Sequence, residues 1–363
     1  MAGRMAAALR AFERGELVVV TDDDDRENEG DLICAASLAT PDKLAFMVRH
    51  TSGIVCAPMS RENARRLSLS PMVADNDAPL ATAFTVSVDV KHGLTTGIAA
   101  EERTNTVRAL ANPNSGAADF VRPGHVFPLI ARDGGVLIRS GHTEAAVDLC
   151  ALAGLPPVGV LSELVNDDGT VMRGPEVSRF AEANGLTQIS LNDIIAWRQR
   201  HERLVERVLD EPRQLEGGTA RVVSYQTPFD AMQHLAVVIG DIRDGADVPV
   251  RLVREHVVDH VFGTIGPKAM LQRFREEGRG ILVYLRDGGV GVAPSAVVAD
   301  RDEAHDSAQA RVREWREVGL GAQILRDLGI SSIRLHSTQD RRYVGLEGFG
   351  ITISATETVG EPG

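Results

Sequence analysis

The sequence predicts two α/β domains, a larger one of mixed α+β character followed by a smaller α/β one. Three observations carry that expectation. The chain has 363 residues, 43% of them hydrophobic, which is more than one typical domain and ample for two packed cores. Short strand-like runs interleave with helical patterns along its whole length. Between two such series lies LDEPRQLEGG, Leu209 to Gly218, where charge, proline and glycine collect. The expected division is therefore a domain over 1–205, a linker over 206–218 and a second domain over 219–363.

In chain order, residues 4–14 read as a helix closed by Gly15, and 17–21 as a strand. Further strand-like runs fall at 53–57, 84–88, 136–138 and 158–164, and helical patterns at 41–50, 60–67, 104–110, 143–152 and 176–184. No internal periodicity suggests repeats. A charged helix is expected over 192–208. Beyond the linker, 221–225, 235–239, 250–253, 281–285 and 333–336 read as strands, with helices at 268–277 and 321–328.

Composition narrows the function. A net charge of -12, with no Lys/Arg cluster interleaved with aromatics, argues against a nucleic-acid surface. No apolar stretch approaches membrane-spanning length, and Arg4 and Arg10 leave too short an apolar run for a secretory signal. Cys34, Cys56 and Cys150 are three, widely spaced, and fit reduced thiols in a cytoplasmic protein better than disulfides or a zinc site.

The chemistry concentrates in a few segments. Asp22 to Asp31 (DDDDRENEGD) holds seven carboxylates in ten residues directly after an apolar run. Crowding such charges is costly unless a cation compensates, which makes a metal site a reading beside that of a solvated acidic loop. Arg26 inside the run and Gly30 near its end favour a shaped turn. In Arg139-Ser140-Gly141-His142-Thr143-Glu144 an arginine and a glycine precede a helix expected to be capped by Thr143, an arrangement suited to an anion. His142, beside it, can ligate a metal or transfer a proton. His125 stands between backbone-restricting residues in Arg122-Pro123-Gly124-His125-Val126-Phe127-Pro128, and Glu163 ends an apolar strand, where burial would raise its affinity for a proton.

Taken in this order and spacing, DDDDRENEGD, RPGHVFP, RSGHTEA and GVLSEL followed by NDDGT resemble 3,4-dihydroxy-2-butanone 4-phosphate synthase of riboflavin biosynthesis, over about residues 5–203. The resemblance implies conversion of D-ribulose 5-phosphate, a small sugar phosphate, to L-3,4-dihydroxy-2-butanone 4-phosphate and formate. It implies Mg2+ or Mn2+ held by Glu27 and His142, and substrate contacts from Arg26, Glu27, Asp31, Arg139, Ser140, Gly141, His142, Thr143 and Glu163. Proton handling falls to Asp22, Glu29, His125 and Glu163. A homodimer with active sites at the subunit interface is implied as well.

Residues 219–355 resemble GTP cyclohydrolase II through RVVSYQTP, EEGRGILVYLR and GAQILRDLG. That enzyme holds zinc with three cysteines, and here no Cys follows Cys150, so no zinc is expected and the domain is expected to be catalytically inactive. The rival expectations are a bifunctional enzyme that also opens GTP, a nucleotide-sensing or partner-binding module, and a non-enzyme whose acidic loop is only a metal clasp. His256, Asp259 and His260, where the cysteine-bearing segment would lie, are weak candidates for another metal.

Overall fold

The computed structural model describes residues 2–22, 27–78, 80–228, 230–257, 260, 267–286, 319–337 and 346–358. These form two compact units, one up to Trp197 and one from Arg198.

The first unit is a seven-stranded mixed sheet with helices. Its elements are α1 (Ala2–Glu13), β1 (Val18–Thr21), β2 (Gly30–Ala35), α2 (Pro41–His50), β3 (Cys56–Met59), α3 (Arg61–Arg66), β4 (Val88–Val90), α4 (Ala100–Ala111), β5 (Phe120–Ile130), α5 (His142–Leu152), β6 (Gly159–Glu163), α6 (Pro175–Ala183), β7 (Thr187–Ser190) and the first part of α7 (Leu191–His201), whose residues from Arg198 on belong to the second unit. The strand order is β4-β5-β3-β6-β2-β1-β7. β2 lies near the middle, antiparallel to both β1 and β6, and all six of its residues are buried. That explains its composition: Leu32, Ile33 and Cys34 pack on both faces of the sheet with no alternation of polar residues. Asp31 is the exception in this strand, and its burial is the first sign of a site.

The structure departs from expectation in three places. Residues 136–138 are not a strand, because Gly134 and Gly135 turn the chain with φ of 91° and 63° into a 3-10 turn, Gly135–Leu137. A side chain at Gly135 would collide with the Asp148 carboxylate. The charged helix expected to run to 208 stops at His201. The stretch 206–218 is a β-hairpin arm and turn rather than a linker: β8 (Glu206–Leu215) pairs antiparallel with β9 (Gly218–Thr227). Its exposed charges mark the solvent side of an edge strand, which composition alone does not separate from a linker.

The second unit is also a seven-stranded sheet, ordered β14-β13-β11-β12-β10-β9-β8. The remaining elements are β10 (Asp230–Ile239), β11 (Val248–Arg254), α8 (Pro267–Glu276), β12 (Gly280–Leu285), α9 (Gly321–Asp327), β13 (Ser332–Ser337) and β14 (Thr352–Thr358). β8, β9, β10 and β12 are joined antiparallel, while β12, β11, β13 and β14 run parallel. Val223, Tyr225, Val250, Ile281, Ile324 and Leu335 belong to its core. Among the described residues no helix is long and apolar enough to cross a membrane.

Candidate active site

The antiparallel register of β2 and β6 sets Asp31 directly opposite Glu163. Opposed residues of an antiparallel pair point to the same face, so two carboxyls from segments 132 residues apart become neighbours. Asp31 is 2% exposed, and its Oδ1 accepts no hydrogen bond among the described residues. Burial, reinforced by the charges of Glu163, Glu27, Glu29 and Asp22, holds its carboxyl well above the ordinary carboxylate range. Glu163 reaches toward solvent at the strand end, yet partial burial and the Glu29 charge raise it in the same direction. His142 opens α5 and brings its Nδ1 to 3.7 Å from Asp31 Oδ1.

β1 and β2 pair antiparallel, and the acidic run lies between them in the sequence. Asp22 shapes it from within: Oδ2 accepts the Glu27 backbone N–H at 3.1 Å and Oδ1 that of Glu29 at 2.8 Å. Asn28 takes a left-handed φ of 55°, a conformation that asparagine adopts more readily than most residues. Arg173, which the sequence reading passed over, holds the loop from outside, bridging Glu29 by backbone pairing and donating to its Oε1 at 3.2 Å. Arg26 and Asp23 to Asp25 lie outside the described residues.

At the start of α5 the N-cap is Gly141, two residues before the Thr143 expected, and it makes no side-chain capping hydrogen bond. The start of an eleven-residue helix carries partial positive charge, which favours an anion. Glu144 does not cap but accepts from the Arg132 N–H at 3.0 Å and from Arg139 Nη1 at 2.7 Å. Arg139 Nη2 donates to the Leu80 carbonyl and to Thr82 Oγ1, both at 3.1 Å. So Arg139 is anchored in the protein, and a side chain at Gly141 would push against the ends of the Arg139 and Glu144 side chains. Ser140 is half-buried and Thr143 buried beside them.

His125 stands on β5 and is held by a residue the sequence reading missed. Asp89 of β4 accepts the His125 backbone N–H at 2.9 Å through Oδ1 and faces Nδ1 at 2.7 Å through Oδ2. Asp89 is buried, while the His125 side chain is 41% exposed. That geometry favours the tautomer with the proton on Nδ1 and leaves Nε2 to accept one. No signal in Val86-Ser87-Val88-Asp89-Val90 marks this partner, which pairs with a histidine 36 residues away.

The arrangement brings Asp22, Glu27, Glu29, Asp31, His142 and Glu163 into one electrostatic cluster and sets His125 in a second, oriented pair. Among the described residues no three His, Cys, Asp or Glu side chains converge as a ready metal cage. Oxygen-rich donors, one histidine and a buried carboxylate oxygen without a partner nevertheless suit a hard cation that keeps several waters. In the second unit, His260 Nδ1 lies 2.9 Å from Tyr284 Oη and accepts the His256 N–H at 3.1 Å. The expected third member, Asp259, and the altered glycine-rich stretch from 287 lie outside the described residues.

A family model described as 3,4-dihydroxy-2-butanone 4-phosphate synthase matches residues 6–197, and one described as GTP cyclohydrolase II matches 206–359. Riboflavin biosynthesis protein RibBA of Salinispora arenicola is 45% identical, over 97% of this chain and 87% of its own length. The crystal structure of RibBX, a two domain 3,4-dihydroxy-2-butanone 4-phosphate synthase from A. baumannii, is similar with a TM-score of 0.83 and 34% identity, covering 98% of this chain and all of that one. A 3,4-dihydroxy-2-butanone 4-phosphate synthase solved in complex with two magnesium ions is 46% identical, covering 54% of this chain and 97% of that one, with a TM-score of 0.53.

Proposed function

Because the chain belongs to the 3,4-dihydroxy-2-butanone 4-phosphate synthase family and carries a GTP cyclohydrolase II domain behind it, we propose that its first unit converts D-ribulose 5-phosphate to L-3,4-dihydroxy-2-butanone 4-phosphate and formate. The observation that carries this reading is the cluster of Asp31, Glu163 and His142, three proton-binding groups drawn together from β2, β6 and α5.

The reaction passes through enolisation, dehydration, a carbon-skeleton shift and loss of formate, and needs acids and bases around one short sugar. Carboxyls held above their ordinary range, such as Asp31 and Glu163, can deliver protons near neutral pH. His125, its Nδ1 occupied by Asp89, serves as a base through Nε2. Glu29 and Asp22 complete the acidic wall. Arg26, Asp31, Ser140, Gly141, Thr143 and the Arg139 segment at the start of α5 hold the sugar phosphate, and binding energy from the phosphate orients the reacting carbons.

Glu27 and His142 would hold Mg2+, or Mn2+ in its place, and the bound ion supplies stabilisation of the negative charge of an enediolate. A cytoplasmic homodimer follows from the same reading. The test is formate release from ribulose 5-phosphate by the full chain with Mg2+. Turnover is expected in the wild type and a fall of about 10²–10³-fold in Glu27→Gln and in His142→Ala. A wild type without turnover, with variants that only lower the melting temperature, would make the loop a structural clasp.

The second unit is read as catalytically inactive toward GTP, because all three cysteines of the chain, Cys34, Cys56 and Cys150, precede it and a thiolate zinc site cannot form. GTP with added Zn2+ is expected to yield no formate. Turnover of GTP would make the chain bifunctional, and binding without turnover would make the unit a sensor.

A further inference from the structure

Arg103 lies on α4 and is only 5% exposed. A guanidinium keeps its charge at every physiological pH and offers five N–H donors, so its burial needs both acceptors and a negative charge. Nη1 donates to the Gly53 carbonyl at 3.1 Å, whereas Nε has no hydrogen-bond partner among the described residues. Neutral acceptors alone leave this cation poorly compensated.

α4 is pinned to β4 where the Val90 N–H donates to Thr106 Oγ1 at 3.0 Å. Arg103 precedes Thr106 by three residues, which sets it on the same helix face, and Asp89 precedes Val90 in the strand. Burial works against the Arg103 charge, and the Asp89 carboxylate supports it. Asp89 is itself buried, with His125 as its hydrogen-bonding partner through two nitrogens.

The neighbouring residue completes the wall behind this pair. Glu102 accepts from Thr95 N at 2.5 Å, Thr95 Oγ1 at 2.8 Å and Gly97 N at 3.0 Å, which fixes the 95–97 loop. A side chain at Gly97 would collide with Asp89 and His125, so the loop is a backstop against which both are seated.

We propose that Arg103 is a positioning residue for the synthase reaction: the buried cation that holds the Asp89 carboxylate in its orientation toward His125 Nδ1, and so presents His125 Nε2 to the substrate. This rests on the reading of His125 as a base acting on the sugar phosphate.

The experiment compares wild type, Arg103→Gln, Asp89→Asn and the double variant as full-length proteins with Mg2+ and ribulose 5-phosphate. Arg103→Gln is expected to lower kcat by about 10–100-fold, the usual scale for an outer-shell partner, with KM nearly unchanged. The double variant is expected to be no slower than Asp89→Asn alone. Nitrogen-15 spectra of His125, which need no turnover, are expected to show the Nδ1–H tautomer in wild type and its loss in Arg103→Gln. Losses that multiply, an unchanged tautomer, or a raised KM with intact kcat would overturn the proposal, the last by placing Arg103 on the substrate. If Arg103→Gln does not fold, Arg103→Lys keeps the charge and is expected to retain most of kcat. A folded lysine variant as slow as Asp89→Asn would overturn the proposal equally. A wild type that releases no formate but shows the predicted tautomer change would instead overturn the functional reading.

Discussion

The two units carry sheets of equal strand number but use charge in opposite ways. In the first, like charges are crowded and under-compensated: Asp31 is buried among Glu163, Glu27, Glu29 and Asp22, and its carboxyl is held up rather than down. In the second, opposite charges are matched. Asp327 at the end of α9 accepts from Arg203, Arg207 and the Tyr225 hydroxyl at 3.0, 2.6 and 2.8 Å. Burial pushes the Asp327 carboxyl up, but the Arg207 and Tyr225 bonds prevail and hold it below the ordinary range. A fold has no use for the first arrangement except to bind something, whereas the second ties the β8–β9 hairpin to a helix. Electrostatic frustration, more than charge density, locates chemistry in this molecule.

The largest effect that would break the comparison lies at His125. Asp89→Asn leaves the side-chain shape but reverses the hydrogen-bonding preference at one oxygen position, so the imidazole loses its imposed tautomer. A fall in kcat of about 10²–10⁴-fold is expected in the ribulose 5-phosphate assay, the range lost with a general base. A variant within threefold of wild type would show that His125 needs no orientation and that the first unit's paired charges are as structural as those of the second.

These features were unequally legible in the sequence. Glu163 and His142 could be named from their motifs because each sits at a strand end or helix start, where local pattern and chemistry coincide, and Asp31 because it ends the acidic run. Their convergence could not, since it depends on the β2–β6 register, and β2 itself escaped notice because Gly30-Asp31-Leu32-Ile33-Cys34-Ala35 lacks the alternation of a half-exposed strand. Asp89 and Arg103 were invisible for a related reason: each acts through a partner far away in sequence. The stretch 206–218 misled in the other direction, since an exposed edge strand and a linker share their composition. The motifs predict which residues matter and the sheet decides which of them meet.

The two aspartates respond to pH with opposite signs. Asp31 binds its proton more tightly folded than unfolded, so the metal-free first unit loses stability as pH rises from the ordinary carboxylate range through the higher pKa of the folded state. Asp31→Asn is therefore expected to stabilise that unit at pH 8 in chelator by on the order of 1–3 kcal/mol, and by much less at pH 5. Differential scanning calorimetry at the two pH values checks this, and destabilisation at pH 8 would mean that the buried charge is compensated. Asp327 has the reverse sign: its stability contribution is present above the unfolded pKa and disappears as pH falls through the lower folded value. Asp327→Asn should cost the second unit about 1–3 kcal/mol at pH 7, a range reduced for the partial exposure of Arg207 and Arg203.

The smallest effect is the sharpest test of whether the second unit is scaffold. Tyr225 is fully buried in the core, and its hydroxyl is committed to Asp327, with burial first and that bond second raising the phenol above its ordinary range. Tyr225→Phe keeps the packing and removes one hydrogen bond to a charged acceptor, an expected loss of about 1–2 kcal/mol. Arg203 and Arg207 remain to hold Asp327, so the loss should stay local. Formate release from ribulose 5-phosphate is expected to stay within twofold of wild type while the calorimetric transition of the second unit moves down by a few degrees. Should kcat fall together with that transition, the ion-pair network of the second unit would be part of the synthase's working parts, and the division into a frustrated site and a satisfied scaffold would fail.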